Sequence, residues 1–476
     1  YRMGYLAPVC SSDLGHQLGH LAMNEVADSI LDGTINFPPD TELYTKLLLQ
    51  EAPRIFEQTS KHHLDQFLRT EDFQTWWLHA NEDIQSSPSL LHFGHYCCAA
   101  HEDYLSTIHT AKLNLALATG IGLDRWSKGL TVLLEKSYGQ IYVEKLRAIC
   151  LFEADFNWLS KVLFAKRMMT NARMSGIIPS EHFAVKGTDP NDAIVCSVLA
   201  ADIHRVNHTT FSSSSADFGD CYDSVAHPIA SIALQAFGLN KNTVKLFLET
   251  LQVMDFFLRS GFGVSKEAWG GSTDDPNYGL GQGAGWAPST FTATSTLNLN
   301  AYRTMGHGTE FKSAWTTERV FLLAAILYVD DGDLLEVALP GVTDDEFIEQ
   351  VQQAVYDWGK LAQALGGYLK QKKCFSYFVS YKFHQGVAKL KKLREWKQTH
   401  LLIPQPGGRD MVPIPILDPT ESKEKLGVLL NPAGKFTDQR AAMKKTGLDW
   451  AAALRTNHVT PNQGWKYFDA QLKPKL

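Results

Sequence analysis

Two short strings carry the side chains best suited to chemistry: Asp217-Phe218-Gly219-Asp220-Cys221-Tyr222-Asp223 and Tyr328-Val329-Asp330-Asp331. Adjacent carboxylates on a tight turn repel one another, so the arrangement is costly unless solvent or a divalent cation neutralises it. A third carboxylate from a neighbouring strand would complete a two-metal site, and for oxygen donors Mg²⁺ is the natural ion. The plain alternative is an acidic turn facing water. Between the two strings lies Gln282-Gly283-Ala284-Gly285-Trp286-Ala287-Pro288.

These strings need elements to hold them. Ser212 to Ser215 lead into Asp217, Pro228 suits a first helical turn, and Ile229, Ala233, Leu234 and Phe237 keep helical spacing to Gly238, so strand, turn and helix follow in order. A Gly-rich loop from Gly279 to Gly285 precedes a second helix beginning near Pro288. Phe321 to Leu327 and Leu334 to Leu339 read as two strands of a hairpin with carboxylates at its turn. Thr343 and Glu346 have capping-box spacing, and apolar residues from Phe347 to Leu365 recur every three or four positions before Gly366 and Gly367. Upstream, residues 40–140 read as mostly helical, with Leu43, Leu47 and Leu48 on one face, Asp40 or Thr41 as cap and Pro53 as stop. Downstream come a strand within Cys374 to Phe383, a basic helix from Lys389, a Pro-rich stretch, a strand from Leu426 to Leu430 and a last helix through Trp450, together expected as a separate lobe.

The 476 residues allow two or three domains, and 44% hydrophobic with 20% charged residues excludes a wholly disordered polymer. The longest apolar run, Val320 to Val329, is half the roughly 20 residues of a membrane-spanning helix, so no membrane partner is expected. Seven scattered cysteines argue for a reducing, intracellular compartment, nucleus or cytoplasm. Residues 381–476 hold 17 basic and 8 acidic residues in a chain of net charge -6, so positive charge gathers at the C-terminus, where it could meet a polyanion or simply face solvent.

The ordered succession D-x-x-x-C-Y-D, Q-G-x-x-x-A-P and Y-V-D-D resembles the reverse transcriptase family, especially its non-LTR retrotransposon and group II intron members. The resemblance implies that Asp217, Asp330 and Asp331 bind metal and act in catalysis, that Tyr222 packs under the incoming sugar, and that Gln282 and Gly283 brace nucleotide and template. Asp223 and His227 match the F/Y-D-x-x-x-H continuation. Arg147-x-Ile149-x-Leu151, with Lys161 downstream, is similar to the finger motif whose arginine touches the triphosphate. Lys373-Cys374 after Leu369 is similar to L-N-P-x-K-C, a resemblance that implies Lys373 as candidate proton donor to pyrophosphate; Lys370 and Gln371 replace Asn and Pro. Ser86-Ser87-Pro88-Ser89 and Leu426-Gly427 resemble an element before the fingers and a pair near the primer grip.

The fold implied is α+β, a right-hand polymerase: helical N-terminal extension 1–135, fingers 136–215, palm with an antiparallel sheet 216–385, and helical thumb or basic lobe 386–476. The function implied is RNA-directed DNA synthesis with Mg²⁺ (or Mn²⁺), an RNA template, a DNA primer and dNTPs. Two other readings stay open: an RNA-dependent RNA polymerase, and a degenerate copy that binds RNA without polymerising. His92, His95, Cys97, Cys98 and His101 lack the second ligand pair of a zinc finger, and His16 and His20, four apart, are expected as a pair on a helix surface.

Overall fold

A computed structural model describes residues 7–82, 89–136, 139, 142–312, 320–406, 410–457 and 459–473, so Ser86, Ser87 and Pro88 lie outside the described residues. The chain is mixed α and β. Its strands are β1 (Lys128–Glu135), β2 (Leu146–Leu151), β3 (Phe211–Asp217), β4 (Asp255–Ser260), β5 (Gly263–Gly270), β6 (Thr309–Lys312), β7 (Val320–Leu323), β8 (Ala325–Tyr328), β9 (Asp331–Val337) and β10 (Phe375–Val379). After these come β11 (Tyr381–His384), β12 (Val387–Leu390), β13 (His400–Pro404), β14 (Met411–Leu417), β15 (Lys423–Lys425) and β16 (Val428–Leu430).

A six-stranded sheet runs β13-β14-β10-β3-β9-β8, and a four-stranded sheet runs β2-β1-β4-β5. Side chains alternate across β3, and both faces are covered. Ser212 and Ser214 lie on the side where Glu336 meets Tyr302 and Gln350. Two long helices, Ala287–Thr304 and Asp344–Leu365, pack there, with Tyr302 edge-on to Trp358 at 5.1 Å. The serine run that interrupts the usual apolar strand pattern is therefore interior: Ser212 and Ser214 are buried, and the Ser214 and Ser376 hydroxyls lie 2.7 Å apart across β3 and β10. On the opposite face, Ser213, Leu335 and Tyr377 line a partly open pocket under helix Pro190–Val206 and the β15–β16 hairpin. Lys425 and Ser197 both reach Asp333 on that face.

The capping box is present as expected: the Thr343 hydroxyl accepts from the Glu346 N–H, the Glu346 carboxylate accepts from the Thr343 N–H, and the helix ends at left-handed Gly366. Other expectations need correcting. The sheet is mixed rather than antiparallel, because β10 and β14 run parallel. No basic helix starts at Lys389; β11 and β12 form a hairpin whose turn residues Gln385 and Gly386 both have positive φ. The C-terminal segment is not a separate lobe, since β13 and β14 belong to the six-stranded sheet. The four-stranded sheet draws β1, β2 and β4 from three of the segments that the sequence divides at 135 and 215. The helix Leu43–Leu49 is capped by Glu42, its Leu43 is exposed, and Pro53 opens the next helix instead of ending this one. Helix Asp13–Leu18 ends before His20, so His16 and His20 do not share a helix surface.

Candidate functional site

β3 and β9 place Asp217 directly across from Asp331, on adjacent strands. The β8–β9 hairpin closes with Tyr328 opposite Asp331, leaving Val329 and Asp330 as its two-residue turn. Val329 has φ of +57°, a strained backbone for a β-branched residue. The Phe218 N–H donates to the Asp330 carbonyl at 3.0 Å, which fastens the turn to the end of β3. The three carboxylates, 113 or more residues apart in sequence across the two strands, are thus drawn to one sheet end.

Asp217 is buried, and its Oδ2 accepts from Lys373 Nζ at 2.6 Å, while Oδ1 is buried with no hydrogen-bond donor on it among the described residues. Burial, followed by the charges of Asp330 and Asp217 and a contact with the Asp217 carboxyl, pushes Asp331 up to about 6. Asp330 is also raised, by burial first. Burial opposes the charge on Lys373, but the bond to Asp217 and the three carboxylate charges outweigh it and raise its pKa. Among the described residues, no three His, Cys, Asp or Glu side chains are already drawn together as a metal cage. The His92–His101 segment is helix Phe93–Ala100 capped by His92, with Cys97 buried and Cys98 exposed.

The loop after Asp217 is held by the chain that follows the long helix. Lys370 N–H donates to the Asp217 carbonyl at 2.9 Å and Gly219 N–H to the Tyr368 carbonyl at 2.7 Å. A Cβ on Gly219 would stand 2.4 Å from the Tyr368 ring, so a larger residue there would displace that ring. Lys370 and Tyr368 both reach the Asp220 carboxylate, at 3.3 Å each. Lys370 thus supplies a positive partner to Asp220.

Tyr222 is half-buried, edge-on to Phe291 at 5.9 Å, and its carbonyl accepts from the Leu280 N–H at 2.6 Å. The Gln282 carbonyl accepts from the Cys150 N–H at 2.7 Å, joining the loop to the end of β2. Gly283 has φ of +107°, and a Cβ there would lie 2.5 Å from the Cys150 carbonyl oxygen. The Gly285 N–H donates to Asn157 Oδ1 at 2.6 Å, a brace that no spacing in the sequence announces. Asp217 is therefore joined to Lys373 and stands across from Asp331, with Asp330 in the adjoining turn, and the 280 loop is tied to Tyr222 through Leu280 and to β2 through Gln282, with Gly283 packed on Cys150. Arg147 makes no contact with the carboxylates among the described residues: on β2 it pairs with Leu134 of β1, and its exposed side chain has no hydrogen bond or ion pair there. Lys161 is also exposed, and its stem lies over Gly285. Among the described residues no helix is long and apolar enough to cross a membrane.

Comparison with protein-family models gives no match to this chain, and comparison with curated protein sequences gives none either.

Proposed function

We propose that the chain is an RNA-directed DNA polymerase of a mobile genetic element, with the six-stranded sheet as the palm of a right-hand fold. One observation carries this reading: Asp217 stands across from Asp331 at a sheet end, with Asp330 in the adjoining turn and Lys373 on Asp217. The donors fit a hard cation, since they are carboxylate oxygens and the buried Oδ1 of Asp217 has no hydrogen-bond donor on it among the described residues. Asp217, Asp330 and Asp331 would hold Mg²⁺ (or Mn²⁺), which when bound lowers the pKa of a primer 3′-hydroxyl and balances charge on the leaving pyrophosphate.

The chain's own residues do the rest. The Tyr222 ring, backed by Phe291, crowds the position of a ribose 2′-hydroxyl and favours dNTPs. The Gln282-Gly283 backbone is fixed to β2, and Gly283 permits that close approach because a Cβ there would meet the Cys150 carbonyl oxygen. Arg147 and Lys161, both exposed, would add cations for a triphosphate. Lys373 spreads positive charge over the carboxylates and must exchange its bond to Asp217 before it can give a proton to pyrophosphate. The basic C-terminal segment supplies charge for a template–primer backbone.

Primer extension on an RNA template with Mg²⁺ and dNTPs tests this. The wild-type chain should extend the primer, and Asp330→Asn should slow it by about a thousandfold or more. Undiminished extension by a folded Asp330→Asn chain would overturn the site. Preference for rNTPs would favour an RNA polymerase, and template–primer binding without extension a degenerate copy.

A further inference from the structure

His227 is 1% exposed, in the first turn of helix His227–Ala236. Its Nε2 lies 2.6 Å from the Gly279 carbonyl oxygen and its Nδ1 2.9 Å from Gln252 Nε2. The carbonyl can only accept and the amide nitrogen can only donate, so Nε2 carries the proton and Nδ1 accepts. Burial holds this imidazole down to about 4, so the ring is neutral and the assignment of one donor and one acceptor is complete. Gln252 Nε2 also donates to the His20 carbonyl at 3.1 Å, which fixes the amide in turn.

Gly279 is where the nucleotide loop begins. Its φ is +77°, and a Cβ would meet Asp223 Cα at 2.6 Å, so the loop backbone lies directly on the turn that carries Tyr222. The next residue, Leu280, donates its N–H to the Tyr222 carbonyl, and Gln282 accepts from Cys150. The Gly279 carbonyl is therefore the loop's hold on the helix side, and His227 is its donor.

We propose that His227 is a positioning residue that fixes the Gly279–Gly283 loop against Tyr222, and through that contact sets dNTP affinity and sugar discrimination. Its effect on nucleotides rests on the polymerase reading above, whereas its hold on the loop does not. His227→Phe keeps the ring volume and removes both hydrogen bonds; His227→Gln retains one donor and one acceptor.

Hydrogen exchange of the 279–285 amides and steady-state primer extension read the two halves separately. In His227→Phe, loop exchange should speed up by about tenfold. The dNTP KM should rise by about the same factor with kcat changed less than about threefold, and the preference for dNTP over rNTP should fall. His227→Gln should recover most of each. If His227→Phe does not fold, Gln252→Met, which releases Nδ1, should show the same changes in smaller measure. Unchanged loop exchange in a folded variant overturns the assignment whatever the activity. A loosened loop with unchanged dNTP KM and sugar preference overturns its nucleotide half. A loosened loop in a chain whose wild type never extends a primer sinks the polymerase reading and upholds the loop's anchor.

Discussion

Tyr222 has its ring edge on Phe291 and its carbonyl on the 280 loop, so truncating the side chain should leave the backbone brace in place. Tyr222→Ala is expected to raise rNTP incorporation relative to dNTP by about tenfold or more, as kcat/KM ratios on one template would record. The carboxylates give a second prediction, read without turnover. Asp331 keeps its proton up to about 6, so protons and Mg²⁺ compete for the cluster below that pH. Mg²⁺ should therefore raise the Tm at pH 8, raise it less at pH 5.5, and not raise it at all in Asp217→Asn. A Tm equally indifferent to Mg²⁺ in wild type and variant at both pH values would remove the cation from the site.

Beneath the sheet, the helices Ala287–Thr304 and Asp344–Leu365 share a buried polar network centred on His307. Nε2 lies 2.8 Å from Asp357 and Nδ1 3.3 Å from Glu336; Tyr44 donates to Asp357 at 2.6 Å and Tyr302 to Glu336 at 3.3 Å. Burial alone would lower this histidine, but the two carboxylates outweigh it and lift it to about 9. The folded chain thus holds a proton that an unfolded histidine releases near pH 6.5. The resulting stability, at most about 3 kcal/mol, is present below pH 6.5 and lost as pH rises to 9. Thermal melts should show that decline, and His307→Gln should flatten it while lowering Tm at pH 6. Elements with strong periodicity or caps were legible in the sequence: the helix after Thr343, the helix at Pro228 and the hairpin around Asp330. Others were hidden for physical reasons. Lys389 to Lys397 has the charge of a helix face, yet Gln385-Gly386 turns the chain into a hairpin of four-residue strands. Pro413 and Pro415 read as loop, but they sit where β14 pairs only with β13, before its contact with β10 at Ile416, so their missing N–H groups cost the ladder little. At the site, the aspartates were singled out by the order of the three motifs and the resemblance it carries; Asn157, Tyr368 and the exposed setting of Arg147 depend on contacts between distant segments.

Over the whole molecule, charge and attachment separate at the C-terminus. Helix Thr437–Thr456 buries none of its residues, and Arg440, Lys444 and Lys445 are exposed on it. Replacing Lys444 and Lys445 with Gln should weaken template–primer binding and lower the slope of log K against log salt by about 1.5 to 2, with Tm unchanged, if both lysines meet phosphates. The four-stranded sheet has the opposite character. β1 pairs in parallel with β4, residue Lys128 against Asp255, so a strand made early waits for one made more than a hundred residues later. During synthesis the β1–β2 ribbon leaves the ribosome with one flank bare, and the segment containing Asp217 and Tyr222 is made before the strand that closes that flank. A chain halted before residue 255 would thus offer neighbouring nascent chains an open strand to clasp, making premature termination an aggregation hazard rather than a route to a smaller working protein.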